Sequence, residues 1–355
     1  MIMAHDLGIN FLHLYNWNPA RDHLSFLNEA HKLGIGVAVP INNYFTSPTM
    51  DPHRRADIDK IVDQVYVHTN GMKSTTPHPA VVMWTIANEY EISGLAATDV
   101  AQVAAIIVAH EKAIGATVLL PISIPVSFAT SPPSLAPCNE LPGFCAIQAV
   151  ENAFKANSGL PSDFISTRFV AATNPQNDGA YITGYLPKFA AEFPGLNLWF
   201  SELGGGVLGV TPPTEAGQAA WLKGELEASK PQPLAGGGFL LGSSVFEFEN
   251  EYWKAVYTGG VVSTNNDVTF GIYKFTCTPT AVNLAGTAKQ GLINCTPVPY
   301  TTYNTPANGP SPAGTYRVDT LIQKPNWAVV HDAFDSPILA LALTTPLMRL
   351  SALAV

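Results

Sequence analysis

The chain reads as a succession of short apolar runs separated by longer amphipathic or irregular stretches. Seven runs, at residues 9–15, 35–41, 81–87, 117–124, 164–170, 198–203 and 238–246, are rich in β-branched and aromatic residues. Several are uninterrupted by polar side chains, the pattern of parallel strands covered on both faces. Between the first two runs, Leu24, Phe26, Leu27, Ala30 and Leu33 fit one helical face closed by Gly34, which completes a strand–helix–strand unit. Repetition of that unit predicts an α/β fold. Polar residues at the C-terminal ends of the runs favour a closed (β/α)8 TIM barrel over an open doubly wound sheet. No Gly-rich phosphate loop follows any run, which argues against dinucleotide binding.

A (β/α)8 barrel needs eight strands. Residues 1–7 have a helical pattern and lead straight into what the series makes the second strand, so the first strand is missing. Either the N-terminus is truncated, or the apolar run 338–343, which follows a predicted last helix at 327–334, fills the empty slot. The stretches 131–158 and 257–313 lack regular periodicity and are predicted to be long loop insertions on the C-terminal face. One catalytic domain over 1–355 accommodates the whole pattern.

Hydrophobic residues make up 47% of the chain and charged residues only 13%, which supplies a large core and excludes disorder. The net charge of −9 lacks the basic footprint that nucleic acid or an anionic membrane requires, so a neutral or cationic substrate is expected. The C-terminal tail, interrupted by Met348 and Arg349, is too short for a membrane span. Cys138 with Cys145, and Cys277 with Cys295, form two local pairs in loop-like sequence. Nearest-neighbour pairing would staple both long loops and implies an oxidising compartment, secreted or at the cell surface. No basic and apolar leader opens the chain. The nine histidines show no metal-ligand spacing, and no Gly-x-Ser-x-Gly elbow occurs. No metal or cofactor is therefore implied, and a monomer is expected.

Two acids each close an otherwise apolar run: Glu89 after Val-Val-Met-Trp-Thr-Ile-Ala-Asn, and Glu202 within Leu-Trp-Phe-Ser-Glu-Leu-Gly. In a barrel, acids at the tips of different strands converge on one cleft whatever their distance in sequence. Two carboxyl groups about 5 to 5.5 Å apart are what a retaining glycosidase needs, one protonated to release the leaving group and one ionised to attack the anomeric carbon.

The segment from His78 to Glu89 resembles the fourth-strand motif of the large clan of (β/α)8 retaining glycoside hydrolases that contains β-galactosidases, cellulases, mannanases and β-1,3-glucanosyltransferases. Phe200-Ser-Glu-Leu-Gly204 is similar to that clan's seventh-strand motif. The resemblance implies Glu89 as acid/base, Glu202 as nucleophile, and Asn88 as the residue that hydrogen-bonds the sugar 2-hydroxyl. The Gly-rich stretch from Gly236 to Lys254, followed by Thr269-Phe-Gly-Ile, is similar to the eighth-strand region of β-1,3-glucanosyltransferases, and the stretch from Asn10 to Pro19 to their second strand. His13 departs from the pattern, because the clan generally carries there an Arg that helps hold the nucleophile; His13 is the expected substitute, unless another group takes the role.

Sugar rings stack on aromatic faces and present hydroxyls to amides and acids. On that ground Tyr15, Asn16, Trp17, Asn42, Asn43, Tyr44, Tyr90, Glu91, Glu247, Glu249 and Trp253 are expected to bind an oligo- or polysaccharide, and Tyr181 is expected to orient the nucleophile. The function predicted is retaining hydrolysis or transglycosylation of β-linked glucan, β-1,3-glucan being favoured. A β-mannanase or β-galactosidase-like hydrolase of the same clan, and a non-catalytic carbohydrate-binding barrel, are the alternatives.

Overall fold

The computed structural model describes residues 1–47, 50–128, 141–250, 269–275 and 321–334, together with strand segments at 256–258, 261–263, 280–281, 293–294, 300–305 and 314–319. A curled sheet of eight strands forms its centre. Strands β1 (Phe11–His13), β2 (Gly36–Ile41), β3 (Val81–Ile86), β4 (Ile122–Val126), β5 (Phe169–Thr173) and β6 (Asn197–Leu203) pair in sequence order, all parallel. The two-residue β7 (Gln232–Pro233) forms one edge, antiparallel to β8 (Phe239–Val245), which itself lies parallel beside β6. Helices α1 (Ile2–Asp6), α2 (Leu24–Lys32), α3 (Pro52–Val65), α4 (Ala97–Ala113), α5 (Phe144–Ala156), α6 (Phe164–Arg168), α7 (Gly179–Glu192), α8 (Glu215–Ala228) and α9 (Asn326–Phe334) connect or cover the strands.

Local chemistry accounts for the helix starts. Asp51 accepts the backbone N–H of Arg54 and precedes Pro52 at the first turn of α3; Asp178 accepts that of Tyr181 for α7; Thr214 accepts that of Gly217 for α8. On α3, Ile58, Ile61, Val62 and Val65 form the buried stripe. The strands bury both faces. Their outward residues join the helices in the main core, while Phe11, Ala38, Met83, Val170, Trp199 and Leu241 form a second cluster inside the curl. Phe11 of β1 meets Trp199 of β6 edge to face at 5.4 Å between centroids, so the sheet is rolled far enough for β1 and β6 to pack across its interior. Among the described residues no ladder joins β1 to β8.

The seven strands fall where the apolar runs predicted them, with shifted ends. The run 164–170 is helix α6 followed by a strand reaching Thr173, and the run 117–124 becomes strand only from Ile122, continuing to Val126. The stretch 131–158 is not all loop: α5 occupies Phe144–Ala156, with Phe144, Ala146, Ile147, Val150, Ala153 and Phe154 buried. Short antiparallel ladders likewise occur within 257–313 and just beyond it. Cys145, near the start of α5, is disulfide-bonded. Cys138, Cys277, Cys295, Trp253 and the run 338–343 lie outside the described residues.

Candidate active site

A cavity of about 800 Å³ opens where the C-terminal ends of β1, β3, β6 and β8 converge. Glu89 and Glu202 both line it, with His13, Tyr15 and Asn16 from the β1 end, Asn88, Ser201, and Glu247 and Glu249 beyond β8. Leu12, Val245, Met1 and Ala4 of α1 also border it, so the cavity reaches the gap between β1 and β8.

Strict alternation along a strand would send neighbouring side chains to opposite faces, yet Asn88 and Glu89 both reach the cavity, as do Ser201 and Glu202. The backbone departs from regularity at both places. Ala87 and Glu89 adopt left-handed φ values of 55° and 49°, a conformation uncommon for residues with a Cβ and characteristic of functional sites. The turn is clamped: Asn43 accepts the N–H of Asn88 at 2.7 Å and donates to its carbonyl at 3.0 Å and to Ser93 Oγ at 2.9 Å. On β6 the register against β8 slips between Phe200 and Leu203, as a bulge does when it re-aims a side chain. Gly204 follows at φ 134°, and a Cβ there would sit 2.6 Å from the Phe246 carbonyl oxygen. This gives the Gly of the Ser-Glu-Leu-Gly run a physical reason: only a residue without a side chain lets the end of β6 pass beneath the Phe246 peptide.

Each carboxylate is held by an uncharged donor. Tyr15 Oη donates to Glu202 Oε1 at 2.8 Å. Asn174, one residue beyond β5, donates through Nδ2 to Glu89 Oε1 at 3.0 Å and accepts Ser201 Oγ–H at 2.6 Å. Glu202 is 5% exposed, and Tyr15, 37% exposed, opens one side of its ring to the cavity. Desolvation among the cleft walls, then the charge of Glu202, its hydrogen bond, and the charges of Glu247 and Glu89, push the Tyr15 phenol well above its ordinary pKa and keep it a donor. His13 is held neutral, its pKa pushed down to about 4 by burial against the hydrogen bond to the Ser201 carbonyl. It contacts the backbone beside the nucleophile candidate at 3.3 Å, while Tyr15 occupies the donor position on the carboxylate.

The segment bearing Glu247 and Glu249 is pinned from below. The Glu247 and Phe248 carbonyls accept from Ile272 and Tyr273, and the buried Lys324 ammonium donates to Thr269 O at 2.8 Å and Asn250 Oδ1 at 3.3 Å. Burial lowers Lys324 to about 8.

Several residues expected at the cleft do other work. Trp17 is buried, bonded through Nε1 to Gln64 and tilted over His23. Tyr90 points into the core and donates to Ala146 O. Glu91 is fully buried with an oxygen 2.5 Å from the Ser127 backbone nitrogen, and burial raises it to about 7. Tyr181 of α7 packs its ring against Phe128, and a hydroxyl on Glu202 comes from Tyr15. Asn43 clamps the Asn88 backbone, and Asn42 donates to Asn16 Oδ1 at 2.8 Å. Tyr44 is exposed outside the cavity lining, with the Arg54 guanidinium 5.2 Å from its ring centre. Asn174 escaped sequence reasoning because the predicted strand ended at residue 170; with β5 reaching Thr173 it is a strand-end amide like Asn42.

No family model and no curated protein matches the sequence. Solved structures do match. The apo structure of a Saccharomyces cerevisiae Gas2p mutant aligns at 12% identity with a TM-score of 0.51, over 95% of this chain and 53% of Gas2p. The two chains share the (β/α)8 fold. Another Gas2p structure, in complex with laminaritetraose and laminaripentaose, aligns at 12% identity and a TM-score of 0.48, over 94% of this chain and 57% of that one. A fungal β-1,4-galactanase aligns at 12% identity and a TM-score of 0.43, over 64% and 75%. The chain spans about half the length of Gas2p.

Proposed function

We propose that the protein is a retaining glycosidase or transglycosylase acting on β-linked glucan, with Glu89 as general acid/base and Glu202 as nucleophile. One observation carries the reading: two carboxylates from the ends of β3 and β6 line a single cavity, each fixed by a neutral hydrogen-bond donor. In the first step Glu202 attacks the anomeric carbon while protonated Glu89 delivers its proton to the departing glycosidic oxygen. In the second, Glu89 as carboxylate takes a proton from water or from an acceptor sugar hydroxyl, whose oxygen displaces Glu202. Asn88, lining the same cavity, is assigned to the sugar 2-hydroxyl.

The lining supports an uncharged sugar. Among the described residues it carries four Glu and neither Lys nor Arg, so a uronic acid would meet repulsion without a cation to receive it. Tyr15, Phe246 and Phe248 supply ring surface for stacking. The choice of β-1,3-glucan rests on the eighth-strand resemblance. The disulfide at Cys145 suits a secreted or cell-surface enzyme, and no helix among the described residues is long and apolar enough to cross a membrane.

The test compares wild type with Glu202→Ala on laminarin, other β-glucans, mannan and aryl β-glycosides, sizing products by mass spectrometry. Cleavage of laminarin by wild type and its loss in the variant are expected, and products longer than the starting oligosaccharide mark transfer. Preferential cleavage of mannan or a β-galactoside would replace the substrate, and inactivity of wild type on every glycan would turn the reading towards a binding protein.

A further inference from the structure

We infer that Asn174, turned by Ser201, is a positioning residue that holds Glu89 in its carboxylate form for the second half of the reaction. An asparagine can face a neighbour with either its NH2 or its oxygen, and the choice follows its hydrogen-bond network. Ser201 Oγ is 2.6 Å from Asn174 Oδ1 and Asn174 Nδ2 is 3.0 Å from Glu89 Oε1. A hydroxyl donating to the oxygen leaves the NH2 end towards the carboxyl. Both Asn174 and Ser201 are buried, so water competes little with either bond. The Asn174 backbone N–H is itself bonded to Val126 O at 3.1 Å, which fixes the base of the side chain.

An N–H aimed at a carboxyl oxygen favours the ionised group; an amide oxygen there would favour the protonated one. The arrangement therefore serves the step in which Glu89 must be a base. As the glycosyl bond to Glu202 breaks, the attacking hydroxyl forms its bond to the anomeric carbon and passes its proton to Glu89, leaving Glu202 as carboxylate. Ser201 also adjoins Glu202 in the chain and shares the cavity wall with it, so the register slip of β6 sets the nucleophile candidate and the orienting hydroxyl together. This role rests on the reading of Glu89 as acid/base, but its physical core can be measured without catalysis.

The experiment titrates the Glu89 side-chain carboxyl by carbon-13 NMR, identifying its signal by its loss in Glu89→Gln. Wild type is compared with Asn174→Ala and Ser201→Ala. The Glu89 midpoint is expected to rise by about one pH unit in Asn174→Ala, the size of one hydrogen bond to a charged group, and by less in Ser201→Ala, where the amide remains but is free to turn over. The alkaline limb of kcat/KM should move the same way, which a purely structural contact would not produce. An unmoved or lowered midpoint in Asn174→Ala overturns the inference. Should that variant fail to fold, an unmoved midpoint in Ser201→Ala, which loses one hydroxyl only, overturns it equally. Shifted midpoints in a protein that cleaves no glycan would sink the glycosidase reading and leave the positioning intact; normal cleavage with unshifted midpoints would do the reverse.

Discussion

At the N-terminal end of the strands Glu111 of α4 is fully buried and meets a cation. Arg168 Nη1 lies 2.6 Å from its Oε2, Tyr66 Oη and Trp84 Nε1 donate to Oε1 at 2.9 and 3.1 Å, and Arg168 Nε donates to Leu120 O. At the opposite end Glu202 is nearly as buried but is held by a phenol, and Glu89 is held by an amide. On the proposed function, the difference separates stability from chemistry on one fold. A guanidinium meets the carboxylate with a counter-charge and, with Tyr66 and Trp84, occupies its oxygens, which ties α4 to α6 and the start of β4. A neutral donor orients a carboxylate while leaving its proton and its nucleophilicity adjustable. Barrels commonly divide their two faces this way, conservation of structure below and catalysis above.

The sharpest way to break the comparison is to remove the cation. Arg168→Met would leave Glu111 buried without its counter-charge, and a loss of about 3–5 kcal/mol in unfolding free energy is expected from chemical denaturation. Cleavage rates at low temperature should stay near wild type, since nothing in the cleft contacts Arg168. Adding Glu111→Leu should recover part of the stability, because an apolar pair avoids the uncompensated charge. Equal stability of Arg168→Met and wild type would show that the ion pair is not the anchor of that end.

A second test uses protonation. Burial raises Glu91 to about 7 and lowers His13 to about 4. Glu91 binds its proton more tightly folded than unfolded, so its contribution is full at low pH and is lost as pH rises from about 4.5 to 7. His13 binds its proton less tightly folded, so its contribution is full above about 6.5 and is lost as pH falls towards 4. The two slopes oppose each other and each amounts to about 3 kcal/mol across its window. Relative to wild type, Glu91→Gln should therefore gain stability as pH rises from 5 to 7, and His13→Gln should gain it as pH falls. Denaturant midpoints at pH 5, 6 and 7 read both signs; differences that stay flat with pH would remove the account of how burial keeps these two groups uncharged.

The same contrast explains what could be read from the sequence. Strand cores were legible because apolar runs report burial on both faces, and the arrival of Glu89 and Glu202 at one cavity was legible because an acid at the end of such a run stands out. The segment 144–156 was missed because its helix buries a broad face, Phe144, Ile147, Val150 and Phe154 among others, without sharp alternation, and is preceded by Pro-rich sequence. Which side chains beside the cleft line the cavity was less legible. Trp17, Tyr90 and Glu91 stand beside cleft residues in the chain; for Tyr90 and Glu91 the direction of the side chain follows the left-handed φ at Ala87 and Glu89, and for Trp17 the bond to Gln64, neither of which composition encodes. Tyr15 was found as a cleft residue but its partner was not, since it is 187 positions away. The Glu111–Arg168 pair carried no signal, because Glu111 lies in the stretch between two runs, where an acid reads like any solvated position, and Arg168 falls within the run 164–170 that reads as a strand, 57 positions away.

The smallest effect expected is also the most informative about neutral donors. Tyr15→Phe keeps the ring in the cavity wall and removes only the hydroxyl on Glu202. Without that donor the Glu202 carboxylate is less stabilised, so it becomes the better nucleophile and the poorer leaving group. Formation of the glycosyl-enzyme should then survive better than its breakdown, giving a kcat reduced about 10-fold, or about 1.4 kcal/mol, with KM falling alongside because the intermediate accumulates. The acid limb of kcat/KM should move to higher pH, as a carboxylate deprived of a hydrogen bond protonates more readily. A phenol that served only to fill space would leave the limb where it is in wild type and reduce kcat and kcat/KM together. Were the donor at this position a cation, as it is for Glu111, the same deletion would be felt first in folding; here it should be felt first in turnover, with the unfolding midpoint almost unchanged.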